Sequence, residues 1–155
     1  MMLDPAIEPA RIGDAEQILA LQHLCYQAEA ERYADYALPP LTQTLPSLLS
    51  EYDTHTILVA RLGDRVVGSV RGRLADGSCL VGRLMVHPHV QRRGLGTRLM
   101  RAIEERFAVC DRFELFTGHL SKGNLRLYQR LGYTTFREES VSARLRLVHL
   151  EKRRA

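Results

Sequence analysis

Residues 84–97 read Leu84-Met85-Val86-His87-Pro88-His89-Val90-Gln91-Arg92-Arg93-Gly94-Leu95-Gly96-Thr97. The first three are an apolar, strand-forming triplet. From Leu95 onward the period changes, with Leu95, Leu99, Ile103 and Phe107 recurring every four residues beside Arg98, Arg101, Glu104 and Glu105, which predicts an amphipathic helix. A strand that passes through a glycine loop into a helix brings the unpaired N–H groups of the first turn and the positive end of the helix dipole to one point. An anion suits that point. Gly94 and Gly96 keep side chains away from the backbone there, and Arg92 and Arg93 add formal positive charge. Spacing rules out two other phosphate loops: a dinucleotide fingerprint needs Gly or Ala where Leu99 stands, and no Gly-Lys-Ser/Thr follows for a nucleoside triphosphatase.

Upstream, residues 56–60, 65–74 and 78–86 are β-branched-rich segments separated by Gly63-Asp64 and Asp76-Gly77, which predicts an antiparallel meander. Residues 7–10 read as a short extended segment. Asp14 with Gln17 three residues on reads as a capping box opening a helix to about residue 31, with Ile18, Leu21, Cys25 and Ala28 on one face. Pro39-Pro40 reads as ending any helix, and a second short helix is expected over 42–52. Downstream, 113–117 reads as a strand, 122–131 as a helix closed by Gly132, and 133–150 as two strands, with Ala143, Leu145 and Leu147 alternating against Arg144 and Arg146. The order β α α β β β α β α β β is an α/β class: about seven strands in a mixed, mostly antiparallel sheet with a central parallel pair, flanked by four helices. The strand-helix-strand unit over 78–117 is a right-handed crossover, which puts a ligand at the carboxyl ends of its strands.

At 155 residues the chain is the size of one domain, expected over 1–155 with its core in 7–150. No apolar run approaches the roughly 20 residues that span a bilayer, so no membrane partner is expected. The N-terminal Met1-Met2-Leu3-Asp4-Pro5 lacks the basic flank and apolar centre of a secretory signal, so the expected location is cytoplasmic. Cys25, Cys79 and Cys110 are scattered and odd in number, and read as reduced core thiols. His87 and His89 have a spacing that a metal uses, but no third ligand accompanies them, and no metal is expected. Arginines cluster at 92, 93, 98 and 101 and at 144, 146, 153 and 154, yet no aromatic-interleaved basic surface or reading motif appears, so no nucleic-acid partner is expected.

The hexapeptide with Gln91, Gly94 and Gly96 resembles the pyrophosphate loop Gln/Arg-x-x-Gly-x-Gly/Ala of the GNAT family of N-acetyltransferases. The flanks extend the likeness. Leu84-Met85-Val86-His87-Pro88 is similar to the apolar triplet and Val-x-Pro-like step that precede the family's loop, and Leu127-Tyr128-Gln129-Arg130-Leu131-Gly132-Tyr133 to its later Leu-Tyr-x-x-Leu-Gly-Tyr/Phe segment. The resemblance runs from about Ile7 to the final strands and is most specific over 78–133. It implies acetyl-coenzyme A as donor, with the backbone of Leu84, Met85 and Val86 on the pantetheine arm and acetyl carbonyl. Gln91, Arg92, Arg93, Gly94, Leu95, Gly96 and Thr97 would surround the pyrophosphate. Asn124 would reach the pantetheine or cap its helix, and Tyr128 would be the general acid at the thioester sulfur. The implied reaction is acetyl transfer to a primary amine of a small molecule or protein by direct attack on the thioester. The alternative is a catalytically inactive acyl-coenzyme A-binding regulatory module.

The chain departs from the family's pattern at two positions: Phe116 stands where Glu is common, and Ser121 where Asn is common, although Ser121 suits an N-cap. Glu114, His119, His87 and Glu31 are candidate bases that serve equally well as ordinary strand or surface residues, and none is assigned. With model values of about 10 for a phenol and 8.5 for a thiol, proton transfer from Tyr128 to the leaving thiolate is uphill by about 2 kcal/mol, so its help is useful without being indispensable. By resemblance the acceptor pocket draws on residues 26–49 and 138–148. Glu29, Glu31, Asp35 and Asp53 would favour a cationic amine if they line it; a solvated helix face explains them as well. The final strand reads as an exposed edge able to pair with a second copy in a homodimer.

Overall fold

Seven strands hydrogen-bond in the order β1-β2-β3-β4-β5-β7-β6 in a computed structural model that describes residues 4–154. Met1–Leu3, part of the segment whose composition argues against export, lie outside the described residues, as does Ala155. The strands are β1 (Ala6–Pro9), β2 (Thr56–Leu62), β3 (Arg65–Ala75), β4 (Ser78–Val86), β5 (Arg112–Gly118), β6 (Thr134–Ser140) and β7 (Arg146–Arg153). The helices are α1 (Ala15–Tyr33), the single turn α2 (Pro39–Thr42), α3 (Leu45–Glu51), α4 (Leu95–Arg106) and α5 (Lys122–Arg130). Every pairing is antiparallel except β4–β5, the expected central parallel pair.

Helices cover both faces of the sheet. On one, Leu99, Met100 and Ile103 of α4 are fully buried in a cluster with Val70, Cys79 and Phe113, each side chain contributing about 1.5–3 kcal/mol by leaving water. On the other, Ile18 and Leu21 of α1 and Leu48 of α3 pack with Val59, Val66 and Met85. The meander, the α4 period and the α5 segment are as the sequence predicts.

Four local readings are corrected. Asp14 and Gln17 form no capping box: Asp14 Oδ2 accepts from the Arg11 N–H, and both its oxygens take Arg61 at 2.9 Å, while Gln17 bonds the backbone of Asp64 and Val66. Pro39-Pro40 begins α2 instead of ending a helix, because proline at the first helical positions gives up an N–H that has no partner anyway. The chain then breaks at Gln43-Thr44, and Thr44 Oγ1 caps α3 by accepting from Ser47 N–H. The final strand is not an edge, since β7 inserts between β5 and β6 and leaves β6 outermost; Ala143 and Leu145 lie in the connection before it.

Candidate active site

The sheet forks where the sequence places its ligand. β4 and β5 pair only through Ser78–Leu80 with Arg112–Glu114, and beyond that β4 runs on to Val86 while β5 pairs with β7 through Gly118. A bulge in β4 accompanies the fork: Gly82 faces Arg71 and Met85 faces Ser69, so Arg83 and Leu84 together oppose Val70. Arg83 sits there at φ +50, a left-handed conformation costing a non-glycine residue about 1–2 kcal/mol. His87 N–H donates to Val67 O on the β3 side. By strand alternation the N–H and C=O of Val86 therefore point to the open side, where its oxygen accepts from Gln91 Nε2 at 3.1 Å and from the Cys25 thiol at 3.6 Å.

Gln91 thus ties the loop back to its own strand. Arg92, Arg93 and Gly94 are exposed ahead of α4, and Gly94 at φ +78 turns the chain into the helix. Gly96 has a packing use as well: a Cβ there would lie 3.2 Å from Leu127 Cδ2, so its bare backbone lets α5 approach α4. Leu95 is buried, Thr97 half-buried, and Arg98 is spent on Pro5 O. The exposed guanidinium groups, the free helix start and the unpaired strand edge suit a pyrophosphate joined to an amide-containing arm.

Tyr128, on α5, is buried among the α4-side core residues, with the ring of Tyr133 edge-on at 6.1 Å. Its hydroxyl bonds no other described residue, yet is not sealed from solvent. Burial, reinforced by Tyr26 and Glu29, holds its pKa well above the ordinary phenol value, so it stays a neutral donor. Asn124 Nδ2 reaches Thr117 Oγ1 at 3.4 Å. Ser121, at the N-cap position of α5, does not cap it through its side chain: its buried hydroxyl donates to Glu29 Oε2 at 2.7 Å. It also meets the Tyr33 hydroxyl at 2.9 Å, which itself accepts from Leu120 N–H. This chain joins α1 to the end of β5 so tightly that a Cβ on Gly118 would fall 2.1 Å from the Tyr33 oxygen.

Of the acidic candidates, Glu29 reaches the end of β5 through its bond with Ser121. Glu31 and Asp53 are exposed, Asp35 accepts from Ala37 N–H, and Glu114 is paired with Arg112. His119 Nδ1 accepts from Arg146 N–H, His87 Nδ1 from His89 N–H, and Phe116 is exposed beside His149. Among the described residues no three His, Cys, Asp or Glu side chains gather as a metal site. No described helix is long and apolar enough to cross a membrane. Burial pushes the Cys25 thiol up to about 11, which keeps it protonated and a poor nucleophile at neutral pH. Tyr26, which the sequence marks only as the start of the expected acceptor region, has its phenol raised by burial to about 12 and lies within electrostatic reach of Arg83, Glu29 and Arg71. Those partners are spread over three elements, and no local spacing links them.

No curated protein matches the chain. Among solved structures the fold is shared with PaiA N-acetyltransferase from Thermoplasma acidophilum in complex with coenzyme A, at 15% identity over 99% of this chain and 100% of that one, TM-score 0.80. It is shared too with YncA from Salmonella typhimurium with its cofactor acetyl-CoA, at 19% identity over 97% and 94%, TM-score 0.78. A third is the ribosomal-protein-S18-alanine N-acetyltransferase from Escherichia coli, at 12% identity over 97% and 94%, TM-score 0.76. At such identities these likenesses speak for the fold alone. The family model described as an acetyltransferase (GNAT) domain matches residues 53–135, a span that holds β2 to α5 and is more than half of the chain, and the chain therefore belongs to the GNAT family of acetyltransferases.

Proposed function

We propose that the chain is an N-acetyltransferase that moves the acetyl group of acetyl-coenzyme A directly to a primary amine. The observation that carries this reading is the fork, with Tyr128 on its α4 side and Glu29 on its α1 side. Bound acetyl-coenzyme A supplies an activated thioester. The N–H groups on the open side of Leu84–Val86 orient its arm, and Arg92, Arg93 and the start of α4 meet its phosphates.

From a neutral amine, transfer forms an N–C bond, breaks a C–S bond, leaves the electron pair on sulfur and releases one proton from nitrogen, which ends on the departing thiolate as free thiol. An alkyl ammonium with a pKa near 10.4 must lose its proton first. Glu29, steadied by Ser121 and by Arg32 at 2.6 Å, is the carboxylate offered to that proton, directly or through water. The leaving sulfur receives a hydrogen bond from Tyr128, whose raised pKa makes it a donor instead of a full proton source. The protonated state of Cys25 favours direct transfer over an acyl-cysteine route.

The reading is tested by free-thiol release from acetyl-coenzyme A with a panel of small amines and amine-bearing peptides. Release that depends on the amine, with an acetylated product, is expected. Tight coenzyme A binding with no turnover on any amine would leave a binding module in its place.

A further inference from the structure

The α1 side of the fork carries a second set of charges that acetyl transfer itself does not use. Arg71 on β3 and Arg83 on the β4 bulge share one sheet face with Met85 and lie on the side covered by α1 and α3. Arg71 is ion-paired with Glu51 of α3. Arg83 is not matched in this way. Its Nη1 donates to the neutral amide oxygen of Gln43 at 3.0 Å, and among the described residues no carboxylate lies within ion-pair distance of it. That amide oxygen is already held by the fully buried Gln22 at 2.9 Å, and the Gln43 nitrogen is turned to Glu51, so Gln43 has nothing further to offer.

A half-buried guanidinium with five N–H donors and one neutral acceptor is left short of partners, and burial correspondingly lowers its pKa with only the Tyr26 phenol pulling the other way. The backbone holds it there at φ +50, a conformation that packing has to enforce. An open cleft of about 370 Å³ reaches it from solvent, lined by Arg83, Glu51, Gln43 and the hydroxyl residues Thr42, Thr44 and Ser47. That volume suits a small molecule. Arg83 lies on β4 two positions before Met85, next to the open edge of Leu84–Val86.

We propose that the acceptor is a small amine that also bears a carboxylate, such as an α-amino acid, and that Arg83, with the Arg71–Glu51 pair behind it, receives that carboxylate. The amine end then turns toward Glu29. This reading adds a carboxylate to the cationic amine that Glu29, Glu31, Asp35 and Asp53 would favour if they lined the pocket, and it rests on the N-acetyltransferase reading for the position of the reacting nitrogen. A forked guanidinium suits a carboxylate because both oxygens are bound in one plane, which an amide cannot match.

The test offers the wild-type protein the common α-amino acids and their primary amides as matched acceptors, following thiol release. In parallel, N-acetylglycine and N-acetylglycinamide are titrated into the coenzyme A-loaded protein by NMR. Acids should exceed their amides in kcat/KM by at least tenfold, and N-acetylglycine should bind where its amide does not. Arg83→Gln should abolish both preferences while still binding coenzyme A, which shows that it is folded, and Arg83→Lys should retain part of each. Amides that equal the acids, or an acid preference unchanged in Arg83→Gln, would overturn the proposal and leave the N-acetyltransferase reading standing. Arg83-dependent binding of N-acetylglycine without turnover of any amine would uphold the anion site and remove the catalytic reading, and no binding of either probe would overturn the site.

Discussion

On the α4 side of the fork, the proposed recognition is built from backbone and from residues close together in sequence: the open edge of Leu84–Val86, the loop from Gln91 to Thr97, and Tyr128 one helix later. On the α1 side it is built from side chains that meet across long separations, with Glu29 reaching Ser121 over 92 positions and Gln43 reaching Arg83 over 40. On the proposed function the first construction meets a donor whose arm and phosphates do not vary, so its parts fit a fixed spacing. The second is where the proposal puts the acceptor, and its parts are drawn from helices and strands far apart in sequence. The contrast is open to attack from both sides.

The largest effect is expected where α1 is fastened to the sheet. Arg61 binds both oxygens of Asp14 as well as Glu8 Oε1, and Asp14→Asn should cost about 3 kcal/mol by leaving a largely buried guanidinium with Glu8 as its remaining carboxylate, measured by denaturant unfolding. The Arg61 bond holds the Asp14 carboxyl below its ordinary 3.8, so its contribution is present above that pH and lost as pH falls through the lower folded value. The gap between wild type and Asp14→Asn should therefore be full at neutral pH and close in strong acid.

Next, Glu29→Gln should lower kcat/KM about 100-fold near pH 7, with the deficit narrowing at higher pH as the amine loses its proton unaided. Coenzyme A affinity should hold, since Glu29 is not among the residues proposed to bind the donor. The reverse pattern is expected of the double variant Arg92→Gln/Arg93→Gln: about 30-fold weaker coenzyme A binding by calorimetry, more strongly salt-dependent in the wild type, with little change in rate once the donor saturates. Tyr128→Phe should reduce kcat about tenfold and leave donor affinity nearly unchanged, because a buried phenol with a raised pKa donates a hydrogen bond and keeps its proton. Equal losses of binding and rate in these variants would dissolve the distinction between the two sides.

The same distinction governs what could be read from sequence. The meander, α4 and the loop announce themselves by period and by glycine and arginine spacing, and the parallel pair follows from the handedness of one crossover. Asp14 was misread because a capping box is a local pattern, whereas its partner Arg61 lies 47 residues away. Pro39-Pro40 was misread because proline both ends and begins helices, and only the following break at Gln43-Thr44 tells which. The place of β7 inside the sheet is a matter of topology: a terminal strand that returns between its neighbours looks, in sequence, the same as one that stays at the edge. Ser121 suits a cap by residue type and sits at the cap, yet its hydroxyl is taken by Glu29 and Tyr33 from a helix nearly ninety positions earlier. No spacing rule reaches that far.

The most direct measurement is to follow an isotopically labelled acetyl group from acetyl-coenzyme A by mass spectrometry, with an amine acceptor present and free thiol counted in parallel. The account predicts the label on the nitrogen of the acceptor, one thiol released per acetylated amine, and no labelled protein. Label that stays on the thioester with every amine offered, or that accumulates on the protein, would contradict it.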